Sequence, residues 1–254
     1  MSGRRVESTT FAPPEDLRDV VDVLWSASWD LPADAPHTTE LLSDPCAHIA
    51  FEGGDRGPES RFVGVWTRLW RRTLVGRGYV RAAKLRPGAM RAFVSPPAVS
   101  LVNRIVPLGE LVGAEAARLE VPMLELREEE ALLALAEWLR SRRASTRASA
   151  LAVDLVERIV KDETIARVED LARVAGYGPR ALQRLFRDEV GASPKWVIRR
   201  YRLQEAALRI ERGDGPTLAA LAAELGYADQ AHLARDFKRA VGKSPSAFAA
   251  SVHG

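Results

Sequence analysis

The stretch Val168-Glu169-Asp170-Leu171-Ala172-Arg173-Val174-Ala175-Gly176-Tyr177, continuing through Leu182-Gln183-Arg184-Leu185-Phe186-Arg187 to Gly191-Ala192-Ser193-Pro194, is written a second time, diverged, from Leu218 to Pro245. Leu171, Ala172 and Gly176 return as Leu221, Ala222 and Gly226; Tyr177 as Tyr227; Leu182, Arg184, Phe186 and Arg187 as Leu233, Arg235, Phe237 and Lys238; Gly191 and Ser193 as Gly242 and Ser244. The second turn carries one inserted residue and every other spacing holds. Repetition of this kind implies one structural unit used twice.

Each unit reads as a helix-turn-helix. Val168, Leu171 and Ala175, then Leu218, Leu221 and Leu225, recur at helical spacing and give a short helix one apolar stripe. Gly176 and Gly226 end it, because glycine accepts the left-handed backbone of a helix terminus without a side-chain penalty. Ala172 and Ala222 are small where two helices approach closely. After the turn, Leu182, Leu185 and Phe186, matched by Leu233 and Phe237, form the buried stripe of a second helix.

The opposite face of that second helix suits DNA. Arg180, Gln183, Arg184 and Arg187 fall on one side in the first unit, and Gln230, Ala231, Ala234, Arg235 and Lys238 in the second. Arginine donates two hydrogen bonds to guanine, glutamine pairs bidentately with adenine, and alanine contacts a thymine methyl. Any one of these residues alone reads equally as a solvated surface charge. Two such faces in register across a repeat favour DNA binding. The first face offers more hydrogen-bonding side chains and is expected to read more bases than the second.

The segment between the units sets their spacing. Ser193-Pro194 is a helix start and Gly213 after Arg212 a stop. A helix over 194–212 spans roughly 28 Å at ~1.5 Å per residue, close to the ~34 Å between successive major grooves on one face of B-DNA. The pattern predicts that one chain reads two half-sites.

Residues from about 148 to 250 resemble the DNA-binding domain of the AraC/XylS transcription regulators, in which a long helix joins two helix-turn-helix subdomains. Gly226-Tyr227, Phe237-Lys238 and Gly242-Lys243-Ser244-Pro245 carry the resemblance. It implies base reading by Arg180, Gln183 and Arg184 in the first unit and by Gln230, Ala231, Ala234 and Arg235 in the second. Arg167 departs from the family, which often has a Ser or Thr cap there.

Charge divides along the same line. Residues 142–254 hold 20 Lys plus Arg against 14 Asp plus Glu, a net of +6, whereas residues 1–141 hold 17 against 20, a net of −3; the whole chain is +3. A basic surface attracts a phosphate backbone whatever its sequence. The length suits two domains, each able to bury a core. No apolar run is long enough to cross a membrane, the polar start Met1 to Thr10 is not a signal peptide, and a cytoplasmic location is expected. A single cysteine excludes an internal disulfide framework.

The expected organisation is α+β: a β-rich, barrel-like domain over 1–140 that ends in helices, a linker over 141–147, and an all-α domain over 148–254. Within the last, the units fall at about 168–190 and 218–241, with the linker helix over 194–212. The joint, Arg140-Ser141-Arg142-Arg143-Ala144-Ser145-Thr146-Arg147, reads as a polar linker or as a solvated helix continuing from Trp138. Glu128 to Leu139 reads as an amphipathic helix with Leu132, Leu133, Leu135, Ala136 and Leu139 apolar. The resemblance implies a dimerising role for it; packing on its own domain is the alternative, so a homodimer stays open.

Strand-like segments in the first 110 residues are Ala47 to Phe51, Phe62 to Leu69, Thr73 to Leu85 and Arg91 to Val94, bounded by glycine and proline. The runs Ala83-Lys84-Leu85-Arg86-Pro87-Gly88-Ala89 and Val106-Pro107-Leu108 resemble the sensor domain of a poorly characterised group of AraC-like regulators. Trp66 and Trp70 on one strand face, with Arg68 between them, suggest either a pocket for a planar or anionic effector or core aromatics beside a solvated arginine. Trp25 and Trp29 read as the packing face of a helix or an irregular cap.

Cys46, His48, Ala50 and Glu52 would share one face of an extended strand, and a His with a carboxylate in a barrel lumen suggests a metal site like that of cupins. That signature needs a second close histidine and further ligands, and His37 is the only other one nearby. A strand histidine with no metal and no catalytic role is expected. Cys46 lacks the cysteine cluster of a metal-activated alkyl acceptor. These observations point to a non-enzymatic transcription regulator without a cofactor, partnered by double-stranded promoter DNA, whose first domain senses a small-molecule effector or dimerises. The alternative is a small-molecule enzyme, metal-dependent through His48 and Glu52, fused to a DNA-binding domain.

Overall fold

A computed structural model describes residues 5–32, 34–41, 43–144, 146–213 and 217–253. Residues 1–4 of the expected polar start and residue 145 of the expected linker lie outside them. The N-terminal half contains eight strands among the described residues: β1 (Arg5–Phe11), β2 (Val21–Asp30), β3 (His37–Leu41), β4 (His48–Gly54), β5 (Glu59–Val63), β6 (Trp70–Leu74), β7 (Arg77–Leu85) and β8 (Ile105–Pro107). Six form an antiparallel sheet in the order β1-β2-β7-β4-β5-β8, while β3 and β6 pair as a separate ribbon. The helices of this half are α1 (Leu108–Val112), α2 (Glu115–Glu125) and α3 (Glu128–Arg142).

Strand alternation places a core on each side of the sheet. Ile49 and Phe51 of β4 and Ala83 and Leu85 of β7 join the helix-side cluster with Leu132, Leu135 and Leu139 of α3. Ala50, Val80 and Ala82 turn the other way, onto Trp29, Leu31 and Leu74. In β2 a register shift between Val21 and Val23 lets Val21 and Leu24 face the same cluster despite their odd spacing. An inserted residue in a bulge shifts the alternation by one.

Several sequence expectations change here. Trp25 and Trp29 lie on β2, not on a helix, because alternation with buried Leu24 and Ser26 makes the segment a sheet strand. The run Thr73 to Leu85 breaks at Gly76 into β6 and β7, which belong to different sheets. Phe62 to Leu69 keeps strand form only to Val63; Gly64 then approaches the Leu101 carbonyl so closely that there is no room for a Cβ. Arg91 to Val94 is no strand: Met90–Ala92 forms a 3-10 turn whose Met90, Ala92, Phe93 and Val94 are buried. Its apolar character reflects burial in a turn.

Helices enter the expected linker from both ends. α3 runs to Arg142, α4 (Arg147–Lys161) begins at the Thr146 cap, and Ala144 donates its N–H to the Ala92 carbonyl at 2.8 Å. Three of the basic residues at this joint are ion-paired with the N-terminal half: Arg140 with Asp16, Arg142 with Glu115 and Arg143 with Asp19. α3 buries Leu132, Leu135, Ala136 and Leu139 against its own domain and leaves Leu133 exposed.

Candidate nucleic-acid interface

The first unit consists of α5 (Val168–Ala175) and α6 (Pro179–Leu185), the latter continued by a π turn over Phe186–Val190. α7 (Pro194–Arg212) follows, then α8 (Leu218–Glu224), α9 (Gln230–Val241) and α10 (Pro245–His253). Without a Ser or Thr cap, α5 still starts at Val168, because the Asp170 carboxylate accepts the Arg167 N–H at 3.0 Å. Gly176 and Gly226 take φ of +68° and +75°, the left-handed conformation that lets the chain reverse between the helices. The linker helix has the bounds that Ser193-Pro194 and Gly213 predict; Ser193 Oγ accepts the Trp196 N–H at 3.2 Å.

The linker helix holds the units by sharing itself between them. Val197 and Ile198 enter one core with Leu171, Leu182 and Phe186, whereas Leu203 and Ala206 enter another with Leu221, Leu233 and Phe237. Arg209 pairs with Glu163 ahead of α5, with Glu205 on its own helix and with Glu224 of α8. Arg202 donates to the carbonyls of Ile159 and Asp162 at 2.7 and 2.9 Å, closing the end of α4. Such cations are structural, and regional net charge could not separate them from those that meet a partner.

The named reading residues behave differently. Arg180, Gln183, Arg184 and Arg187 are exposed along one side, as are Gln230, Ala231, Arg235 and Lys238; Ala234 is half-buried. Arg187 pairs with the adjacent Asp188, while Arg180, Arg184, Arg235 and Lys238 form no ion pair among the described residues. An exposed, unpaired guanidinium keeps its full hydrogen-bonding fork for an incoming phosphate or base. Asp229 caps α9 by accepting the His232 N–H at 2.6 Å, which puts Gln230 and Ala231 in the first turn.

Two carboxylates occupy the cores beneath these faces and escaped the sequence reading. Asp236 is ion-paired with Arg199 of α7 and Arg239. Glu189, 2% exposed, accepts from Ser149 Oγ of α4 at 2.6 Å and from Arg91 at 3.0 Å. The available signal was Glu189 itself, an acidic residue on the Leu182-Leu185-Phe186 stripe.

Residues 171–251 match the family described as a helix-turn-helix domain. Over 82 residues the chain is 35% identical to an HTH-type transcriptional regulator of Mycobacterium tuberculosis, covering 32% of this chain and 31% of that protein. Over 78 residues it is 35% identical to an AraC-like transcription regulator of Streptomyces lividans, covering 31% and 25%. Residues 171–251 are an AraC-type helix-turn-helix domain. The chain spans under a third of the length of these curated relatives. Ahead of the AraC-type domain, residues 9–107 match a family described as a domain of unknown function, DUF6597. Among solved structures, the C-terminal domain of AraT from Geobacillus stearothermophilus is 24% identical, covers 42% of this chain and 88% of its own, and has a TM-score of 0.38. ToxT from Vibrio cholerae is 11% identical over both full chains, with a TM-score of 0.42.

In the domain that precedes the AraC-type domain, Trp66, Arg68 and Trp70 do not share a strand face. Trp66 and Arg68 sit in the loop after β5, and Trp70 opens β6. The two indoles still meet edge to face with centroids 4.7 Å apart, while Arg68 is exposed and its carbonyl accepts the Ser43 hydroxyl. Neither of the two described cavities, about 280 and 200 Å³, is lined by these residues. The larger lies between Arg91, Leu151, Tyr177 and Arg184.

Glu52 is already committed to other side chains, whereas the buried His48 Nδ1 has no hydrogen-bond partner among the described residues. Glu52 is bound by Arg61 and Arg72, and the His48 ring meets Trp25 edge on at 6.1 Å. Cys46 lies before β4 rather than on it, and burial pushes its thiol pKa up, which disfavours the reactive thiolate. Among the described residues no group of three or more His, Cys, Asp or Glu could hold a metal ion, and no helix is long and apolar enough to cross a membrane.

Burial, assisted by the charge of Lys84 and opposed by Asp44 and Asp22, lowers the His48 pKa to about 4. The unfolded chain takes up this proton near its ordinary ~6.5 and the folded chain only near 4. Stability from neutral His48 is therefore complete above pH ~6.5 and is lost as the pH falls toward 4, by at most about 3 kcal/mol. Urea midpoints at pH 7 and 4.5 should fall further apart in the parent than in His48→Gln. Equal differences would show that His48 does not carry this dependence.

Proposed function

We propose that the chain is a sequence-specific DNA-binding transcription regulator whose two helix-turn-helix units read adjacent major grooves of promoter DNA. The supporting observation is the pair of aligned, exposed faces led by the unpaired Arg180 and Arg184 in one unit and Arg235 and Lys238 in the other. One rigid helix shared between two cores sets their separation. Relatives that are 35% identical over 82 and 78 residues are named as transcription regulators.

The N-terminal domain senses a small molecule or dimerises in this reading, acts in the cytoplasm with the rest of the chain, and performs no chemistry. An effector works by preferring one arrangement of the two units over another. Trp66 and Trp70, with Arg68 beside them, remain the aromatic pair proposed for effector contact. Selection of random duplexes with the full chain tests the DNA claim. Two half-sites about one helical turn apart are expected, with affinity that falls steeply with salt. Failure to enrich any sequence, or enrichment of a single half-site, would overturn the two-groove reading.

A further inference from the structure

The repeat supplies an internal comparison at the closing turn of each reading helix. Across the offset that aligns Phe186 with Phe237 and Gly191 with Gly242, Glu189 aligns with Ala240. The second unit therefore closes the same turn over a small apolar residue, and its helix stays α-helical to Val241. The fold does not require a carboxylate at this place. Burying one is unfavourable unless it is paired and hydrogen-bonded.

Glu189 is fully engaged, and its partners come from two different parts of the molecule. Ser149, 4% exposed, lies on α4 beside the first unit; Arg91 belongs to the 3-10 turn that follows β7. Around this bridge the turn Phe186–Val190 packs against the N-terminal segment Ala98–Leu101. A Cβ on Gly191 would lie 3.2 Å from the Ala98 carbonyl oxygen and 3.1 Å from a Val102 methyl. In the second unit the buried carboxylate is Asp236, and its interhelical partner is Arg199 of the linker helix. Both units pack on the linker helix, but the buried carboxylate of the second ties it to that helix while that of the first ties it to α4 and to the N-terminal domain.

We propose that Glu189 is a positioning residue for the first reading helix, and that through Arg91 the N-terminal domain sets how Arg180, Gln183 and Arg184 are presented to DNA. Arg184 and Glu189 are five residues apart on one continuous helical segment. Rotation or tilt of the turn at Glu189 therefore moves the reading face with it. Arg91 is the partner through which a change in the N-terminal domain reaches that face. The inference rests on the reading of this face as a DNA contact.

Footprinting of the full chain on its selected two-half-site duplex tests it. Arg91→Met should weaken protection of the half-site read by the first unit about tenfold and leave the other within twofold, while Arg91→Lys, which keeps the charge, should restore most of the loss. Equal protection of both half-sites in Arg91→Met, with or without a lower melting temperature, would show that the bridge is only structural and overturn the proposal. Equal weakening at both half-sites would overturn it too. Arg184→Ala on the same duplex separates the two layers. If that variant weakens the first half-site and Arg91→Met does not, only the positioning role falls; if Arg184→Ala is silent, the DNA reading of the face falls as well.

Discussion

Replacing Arg184 by Ala is expected to weaken binding to the cognate duplex by about 1–3 kcal/mol, roughly 5- to 150-fold, and to relax base preference in one half-site alone. Arg235→Ala should do the same in the other half-site. The magnitude follows from geometry: both guanidiniums are exposed and unpaired among the described residues, so none of their hydrogen-bonding capacity is lost to intramolecular partners. A residue that touched only phosphate would behave differently, weakening all sequences alike and lowering the salt dependence by about one counterion. Titration of the parent and both variants against cognate and half-site-scrambled duplexes measures this. Parent-like affinity and preference in both variants would remove the assignment of the reading faces.

The largest loss of stability is expected from Phe186→Ala. Phe186 is fully buried in a core that also contains Leu171, Leu182, Val190, Val197 and Ile198, contributed by α5, the reading helix and the linker helix. Deleting its ring leaves a cavity that close-packed neighbours fill only in part, at a cost of about 3–5 kcal/mol. Domains of this size are stable by only ~5–15 kcal/mol. Phe237→Ala should act alike on the second core, where Phe237 meets Phe248 at 5.5 Å. Urea unfolding followed by circular dichroism reads both effects. A change under about 1 kcal/mol for Phe186→Ala would show that the first core is not packed around that ring.

These two predictions draw on features of different visibility in the sequence. Phe186 and Arg184 are two positions apart, one on the apolar stripe and one opposite, and helical periodicity alone assigns their faces. Glu189 obeys the same periodicity, which puts it inside, but only its partners explain why a carboxylate is tolerated there. Ser149 and Arg91 lie 40 and 98 residues away along the chain. The basic run at Arg140, Arg142 and Arg143 reads as a linker for a related reason. Its composition is that of a solvated segment, yet each guanidinium is paired with a carboxylate distant in sequence.

The N-terminal domain was legible only in kind. Glycine, proline and β-rich runs announced strands, but pairing joins segments such as β2 and β7, whose register links Leu24 to Ala83. No local signal says that β6 leaves the large sheet for β3, or that Trp66 and Trp70 meet across a loop.

By itself the sequence determined the repeated helix pair, the bounds of the linker helix at Ser193-Pro194 and Gly213, and the two exposed faces opposite the apolar stripes. Caps, glycine stops and helical periodicity are local, with their physical causes contained within a few residues of chain. Only the tertiary structure decided which strands pair, which cations are already neutralised, and that the first reading helix is fastened through Glu189 to another domain. Those outcomes depend on contacts between distant segments, whose energies appear only when folding has brought them together.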